Sequence, residues 1–326
     1  MAIVERSEPE KEITLGISAC LAGQKVRYNG DHKRSGFVAN SLTRFFHLKP
    51  VCPEVEIGLG VPREPIRLVG DAEGDYRVVG SDHPDIDVTD KLADFGRETA
   101  KNLERDISGY ILMQKSPSCG MDRVKVYHQN GHPLGRSEPG MFARTLMETS
   151  PLLPVEEEGR LHDPVLRDNF FARVFAWHRW QQEMRDEPTY AGLVAYHSAY
   201  KYLIMAHSPQ NYRKLGQMVS IGKKKPVEEL AEEYISLFME TLRSKANRKS
   251  HTNVLLHLLG YMKKDLSDES KQTLLEIIEQ YRTGMIPLIV PVTMLSHFLN
   301  IHGSQYVKDQ VYLKPYPEEL GLRNTL

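Results

Sequence analysis

The stretch "ILMQKSPSCG", residues 111–120, decides how the first half of the chain is read. It runs from an apolar, strand-like segment straight into a loop of small and turn-forming residues that ends on Cys119. The chain has three cysteines, and the other two repeat the arrangement: Cys20 in "LGISACLAG" and Cys52 in "KPVCPEV" each follow an apolar run. In an open parallel sheet the carboxyl ends of the strands form the edge where loops converge and ligands bind. Three such runs, placed as parallel strands of one sheet, bring all three thiols to that edge.

Outward from these segments, residues 13 to about 150 mix β-type runs with helical patterns, the grammar of an α/β layer. "ITLGISA" and "YILMQK" read as strands and "LKPVC" as a shorter one. "VTDKLADFGRETAKNLER" carries Leu92, Phe95, Thr99 and Leu103 at helical spacing, and "EPGMFARTLMET" opens a further helix after a Gly/Pro break. An α/β N-terminal domain with a mostly parallel sheet follows. From about residue 151 the grammar changes, and "PLLPVEEEGRLHDP" marks the junction. Helices are expected near 164–184, 188–206, 226–245, 249–265, 268–283 and 291–302, with "SDES" supplying an N-cap and a short β-type tail at "QVYLKPY". The expected domains are residues 1–155 and an all-helical 156–326.

At 326 residues the chain has room for two such cores, and 40% hydrophobic with 26% charged residues is the balance of a soluble globular protein. No apolar run approaches the roughly 20 residues that cross a bilayer, and "MAIVERSEPEKE" lacks the apolar core of a signal peptide, so the expected compartment is the cytoplasm, without membrane contact. An odd number of cysteines in a chain of this size argues against a disulfide framework. The formal net charge of −1 excludes a uniformly basic nucleic-acid binder while leaving local charge segregation open.

Three converging thiolates can bind zinc, form a redox pair or hold an iron–sulfur cluster. The close C-x2-C pairs of structural zinc and of redox dithiols are absent, and no fourth ligand is evident. The thirteen histidines have no ligand spacing such as H-E-x-x-H. Residue arithmetic alone leaves cluster and zinc both open.

Four motifs in order, "SACLAGQKVRYNGDHK", "PVCPEVEIGLGVPREP", "DVT" at 87–89 and "KSPSCG", resemble the thiouracil desulfidase family over nearly all of residues 13–150. The resemblance implies a 4Fe-4S cluster held by Cys20, Cys52 and Cys119, whose remaining iron takes up the sulfur of a thiocarbonyl in a non-redox desulfurisation. It further implies Glu54 of "CPE" as a catalytic carboxylate and a serine of "SPSC" as its partner, Ser116 ahead of Ser118. A carboxylate that soon after a cysteine is otherwise an ordinary helix-start or surface residue, and serines flanking Pro117 commonly serve turn geometry. Arg27 and Asn29 of "VRYNGDHK" are candidates for contact with the base or a phosphate. Arg63 and Arg67 of "VPREPIRL" are expected on a solvated face.

In the second half, residues 201–225 carry Lys201, Arg213, Lys214, Lys223, Lys224 and Lys225 with no acid. Residues 241–264 repeat the imbalance with Arg243, Lys245, Arg248, Lys249, Lys263 and Lys264. The acidic "VEELAEEYISLFME" separates them. Tyr202, Tyr212, His207 and His251 are interspersed as rings that can stack on exposed bases. This half, with "HSPQNYRKLGQMVS" and "HTNVLLHLLGYMKKDLS", resembles the YbgA-type helical module, and the whole resembles two-domain tRNA 4-thiouridine desulfidases. That implies a tRNA partner, with Lys223, Lys224, Lys225, Arg248 and Lys249 as candidate phosphate contacts. Free 2- or 4-thiouracil is the alternative substrate. A cluster-bearing RNA-binding or redox-sensing protein without turnover is the alternative class, and Glu54 separates the two, since a sensor needs no carboxylate beside an open iron.

Overall fold

The computed structural model describes residues 13–71, 74–303 and 305–326, and divides into two compact units between His162 and Asp163.

In the first unit, β1 (Ile13–Ser18), β2 (Phe46–Val51), β5 (Gly109–Leu112) and β8 (Val155–Glu157) form an all-parallel sheet in the order β2-β1-β5-β8. Five of the six β1 residues and all four of β5 are buried, as central parallel strands covered on both faces require. Gly16 lies against the Tyr110 ring, where a Cβ would come within 2.3 Å. Two short helices follow the first strands, α1 (Gly36–Asn40) between β1 and β2 and α2 (Pro53–Glu56) directly after β2. The expected helices are present as α3 (Thr89–Leu103) and α4 (Met141–Thr149). They pack closely through Phe95 on Phe142, ring centroids 5.7 Å apart, and through Gly96, which has no side chain to meet Thr145.

A second sheet was not anticipated from the sequence. Its strands β3 (Ile66–Gly70), β4 (Tyr76–Gly80), β6 (Val124–Tyr127) and β7 (Pro133–Glu138) lie in the order β4-β3-β6-β7, with antiparallel outer pairs and a parallel β3–β6 pair. The stretch expected as the junction contains the break between the units, and its acidic part also supplies β8, whose Glu156 and Glu157 are buried.

The second unit is helical: α5 (Pro164–Glu183), α6 (Tyr190–His207), α7 (Pro209–Ile221), α8 (Val227–Arg243), α9 (Arg248–Met262), α10 (Asp268–Thr283), α11 (Ile289–His302) and α12 (Gln305–Lys308). Trp180, Tyr196, Tyr234 and Phe238 interlock in its core. Two expectations are corrected here. A further helix, α7, stands between the helices expected at 188–206 and 226–245, where Ser208 caps it by accepting the Asn211 amide and Pro209 occupies its first turn, where a missing N–H costs nothing. "QVYLKPY" forms turns and no strand, its Tyr312 and Tyr316 buried against the helices. Among the described residues no helix is long and apolar enough to cross a membrane.

Candidate active site

Cys20 lies two residues beyond β1, Cys52 one beyond β2 and Cys119 seven beyond β5, and these are three adjacent parallel strands. All three cysteines are free and line one cavity of about 230 Å³ at the carboxyl edge of the sheet, together with Arg27, Tyr28, Glu54, Arg63, Lys115 and Ser116. The edge is held together by its own loops. The Ser18 hydroxyl at the end of β1 accepts the Met113 amide at 2.9 Å, the Tyr28 carbonyl accepts the Arg63 amide at 2.8 Å, and the Val26 carbonyl faces the Cys52 thiol at 3.7 Å.

Burial raises the pKa of every one of these thiols. Cys20 is pushed up to about 11, first by burial and then by the charge of Cys52. Cys119 is raised furthest, by burial and then by Glu54. Three desolvated sulfurs that repel one another's charge are poor thiolates alone and good ones around a cation, which is the donor chemistry of an iron–sulfur site. Among the described residues no three His, Cys, Asp or Glu side chains are arranged to hold one metal ion.

Glu54 stands in the first turn of α2, two residues past the Cys52 cap. Arg63 donates to its Oε2 through Nε at 2.9 Å and Nη2 at 2.5 Å, and Ser118 donates its hydroxyl to Oε1. The Ser118 proton is thus committed, so the 3.0 Å contact between the two serine hydroxyls has Ser116 as donor. Ser118 is fully buried while Ser116 faces the cavity, and a hydrogen-bonded chain runs from the cavity through Ser116 and Ser118 to Glu54. Ser116 Oγ also accepts the Cys119 amide at 3.1 Å, which folds the loop.

Arg63 corrects an expectation: its side chain is 5% exposed and not on a solvated face, because the loop from Gly58 to Gly60 turns it back onto Glu54, with a further bond to the Gly60 carbonyl. Arg67 is half-buried. A second unforeseen contributor is Glu157, which accepts the Met121 amide at 2.9 Å and pins the chain just past Cys119. An acidic run beside prolines carries no sequence signal for such a role. Arg27 lines the cavity with its guanidinium over Tyr28, whereas Asn29 is exposed, outside the cavity lining, and accepts the Asp31 amide.

The second-unit candidates differ in what they meet. Lys224 and Lys249 are exposed, and the side chain of Lys223 lies outside the described residues. Lys225 pairs with Glu229 and Glu233. Arg248 donates to the Tyr281 carbonyl at 2.6 Å and stacks over the Tyr281 ring. Tyr202 and His251 are buried, His251 against the Tyr312 hydroxyl, so they cannot stack on a base as expected. Tyr261 and Tyr306 are exposed in this unit instead.

The 2-thiouracil desulfurase family model matches residues 15–158, and the DUF1722 family model matches residues 201–317. The chain is 31% identical over 159 residues to the protein YbgA of Escherichia coli strain K12, covering 48% of this chain and 94% of YbgA. It is 33% identical over 110 residues to YbbK of Bacillus subtilis strain 168, covering 32% of this chain and 71% of YbbK. A solved structure of the 4Fe-4S-dependent thiouracil desulfidase TudS is 29% identical, with 48% of this chain and 97% of that chain covered at a TM-score of 0.38. With the three cysteines, Glu54 and Ser116 all inside the first match, the chain belongs to the 2-thiouracil desulfurase family through its first half and to the YbgA-type DUF1722 family through its second.

Proposed function

We propose that the protein is an iron–sulfur-dependent, non-redox desulfidase of the cytoplasm that converts 4-thiouridine in tRNA to uridine. The observation that carries the chemistry is one cavity lined by three free thiols, a carboxylate and a serine hydroxyl, within the stretch matched by the desulfurase family. Cys20, Cys52 and Cys119 would hold a 4Fe-4S cluster. When bound, it supplies a Lewis-acidic iron for the thiocarbonyl sulfur, which makes the ring carbon more electrophilic. The chain's own groups do the rest. Glu54 orients a water toward that carbon and accepts its proton, and Arg63 holds the carboxylate in position. Ser116 bonds the heterocycle, with Ser118 linking it to Glu54 so that a proton passes along the chain. The reaction balances as C=S plus water giving C=O plus hydrogen sulfide, with no electron transferred.

The tRNA half of the reading is supported by two acid-free basic tracts in the second unit and by the need of a polynucleotide substrate for phosphate contacts that position one base. Free thiouracil is the second reading, favoured by the description of the matching family. Anaerobic incubation with bulk bacterial tRNA, followed by nucleoside analysis, tests the choice. Loss of 4-thiouridine with a matching gain of uridine is expected. Conversion of free thiouracil alone selects the second reading, and no turnover of either by iron-loaded protein would leave a cluster-bearing binding or sensing protein.

A further inference from the structure

Beside the three-cysteine cavity lies a second concavity of about 660 Å³, built on the β3–β6 pair. The two share Ile66, Lys115 and Pro117 in their walls, so one opens beside the other. Arg67, Lys115, Arg123 and Lys125 line it, together with Ser81 and Tyr127, and no Asp or Glu does. In a chain of net charge −1, four cations and no acid around one concavity is a local segregation of charge.

The partners of these cations are few. Arg123 approaches Glu157 only at 3.6 Å and is 57% exposed. Arg67 Nε is buried without a hydrogen-bond partner, and among the described residues Arg67, Lys115 and Lys125 form no ion pair. Leu68 pairs with Val126 across the parallel strands and both are fully buried, so one step back Arg67 and Lys125 stand side by side on the opposite face. Like charges on adjacent strand positions destabilise a sheet unless something anionic lies between them. Lys115, at the junction of the two cavities, has φ 59°, a conformation that costs energy for a residue with a side chain and recurs at ligand sites.

We propose that this groove is a backbone-phosphate subsite. It takes phosphates of the nucleotides flanking the thiolated uridine, the Arg67 fork and the Lys115 and Lys125 ammoniums meeting their oxygens, while the half-buried Tyr127 ring offers a face to a neighbouring base. The inference rests on the reading of thiolated RNA as substrate, because a free thiobase carries no phosphate for the groove.

The test is binding of a fluorescently labelled, sulfur-free oligouridylate to the full chain by anisotropy at several salt concentrations, for the parent, Lys125→Gln and Lys125→Glu. Lys125 is exposed, so both variants should fold. Lys125→Gln is expected to lower the steepness of log K against log salt by roughly 0.7, one single-strand phosphate contact, and Lys125→Glu to weaken low-salt binding by at least about tenfold. The ratio of kcat/KM on a 4-thiouridine oligonucleotide to that on free 4-thiouracil should fall in the same order. Parent-like binding and slope in both variants overturns the subsite and leaves the RNA reading intact. A parent that desulfurises free 4-thiouracil but neither binds the probe nor turns over the thiolated oligonucleotide overturns the RNA reading and the subsite together.

Discussion

Glu54 has both carboxylate oxygens engaged, one by the Arg63 fork and one by Ser118, so its orientation is set before any substrate arrives. Removing the carboxylate should therefore cost turnover and not the metal: Glu54→Ala is expected to retain its iron and lose a hundredfold or more in kcat, the usual contribution of an acid–base group. Near-parental kcat in iron-loaded Glu54→Ala would move the water-activating role elsewhere. Arg63→Lys keeps the charge but not the two-pronged geometry, so its kcat should lie between those of Arg63→Ala and the parent. The cysteines predict a complementary result: anaerobically prepared protein should carry about four irons per chain, and Cys20→Ala, Cys52→Ala and Cys119→Ala should each lose them. Full iron retention by one variant removes that residue from the ligand set. The cysteine convergence was legible because a strand end is a local feature, an apolar run that breaks into a turn. Arg63 was not, because its partner is reached only through the back-turned Gly58–Gly60 loop, and "VPREP" reads the same whether its arginine faces water or a carboxylate.

Among the elements, the parallel sheet and α3 and α4 were readable from apolar runs and helical spacing. The β3–β4 and β6–β7 pairs were not, since strands of four to six residues with one polar face give little periodicity. β8 escaped for a different reason: its buried glutamates oppose the usual reading of an acidic run. Their burial is explained by what they hold. Glu157 satisfies the Met121 amide and Glu156 meets Arg160 at 2.6 Å. Glu157→Ala would leave the Met121 amide without its partner and is expected to cost about 1–3 kcal/mol in urea unfolding, with Glu157→Gln, which keeps an acceptor, close to the parent. Equal loss in both would assign the effect to the charge facing Arg123 and not to the amide bond.

For the whole molecule, charge and histidine placement give two expectations for the helical unit. Burial, then the charge of Lys201, lowers the pKa of His197 to about 4, and burial lowers that of His251. Between that value and the ordinary 6.5 the unfolded chain binds protons that the folded one refuses, so stability falls as pH drops through this window. His197→Gln should flatten the fall between pH 6.5 and 4, and a parent-like slope would assign it to other groups. The second expectation concerns the proposed tRNA partner. Acid-free tracts were visible in the sequence, but which of their cations are free was not, because their partners lie outside the tracts: Lys225 meets glutamates of the following helix α8, and Arg248 a carbonyl of α10. Lys225 and Arg248 are already engaged, so their neutralisation should affect folding, whereas Lys224 and Lys249 are exposed. Neutralising Lys224 and Lys249 should reduce the salt dependence of tRNA binding, the log–log slope falling by roughly 0.7 to 0.9 for each phosphate left without its lysine. Activity on free 4-thiouracil should stay at the parental level, because a lone base needs only the cavity at the sheet edge. The reading is therefore carried by the ratio of tRNA to free-base activity. A fall in both activities together would mean that these lysines support the fold, and a fall in neither would leave the phosphate contacts to the groove beside Lys125.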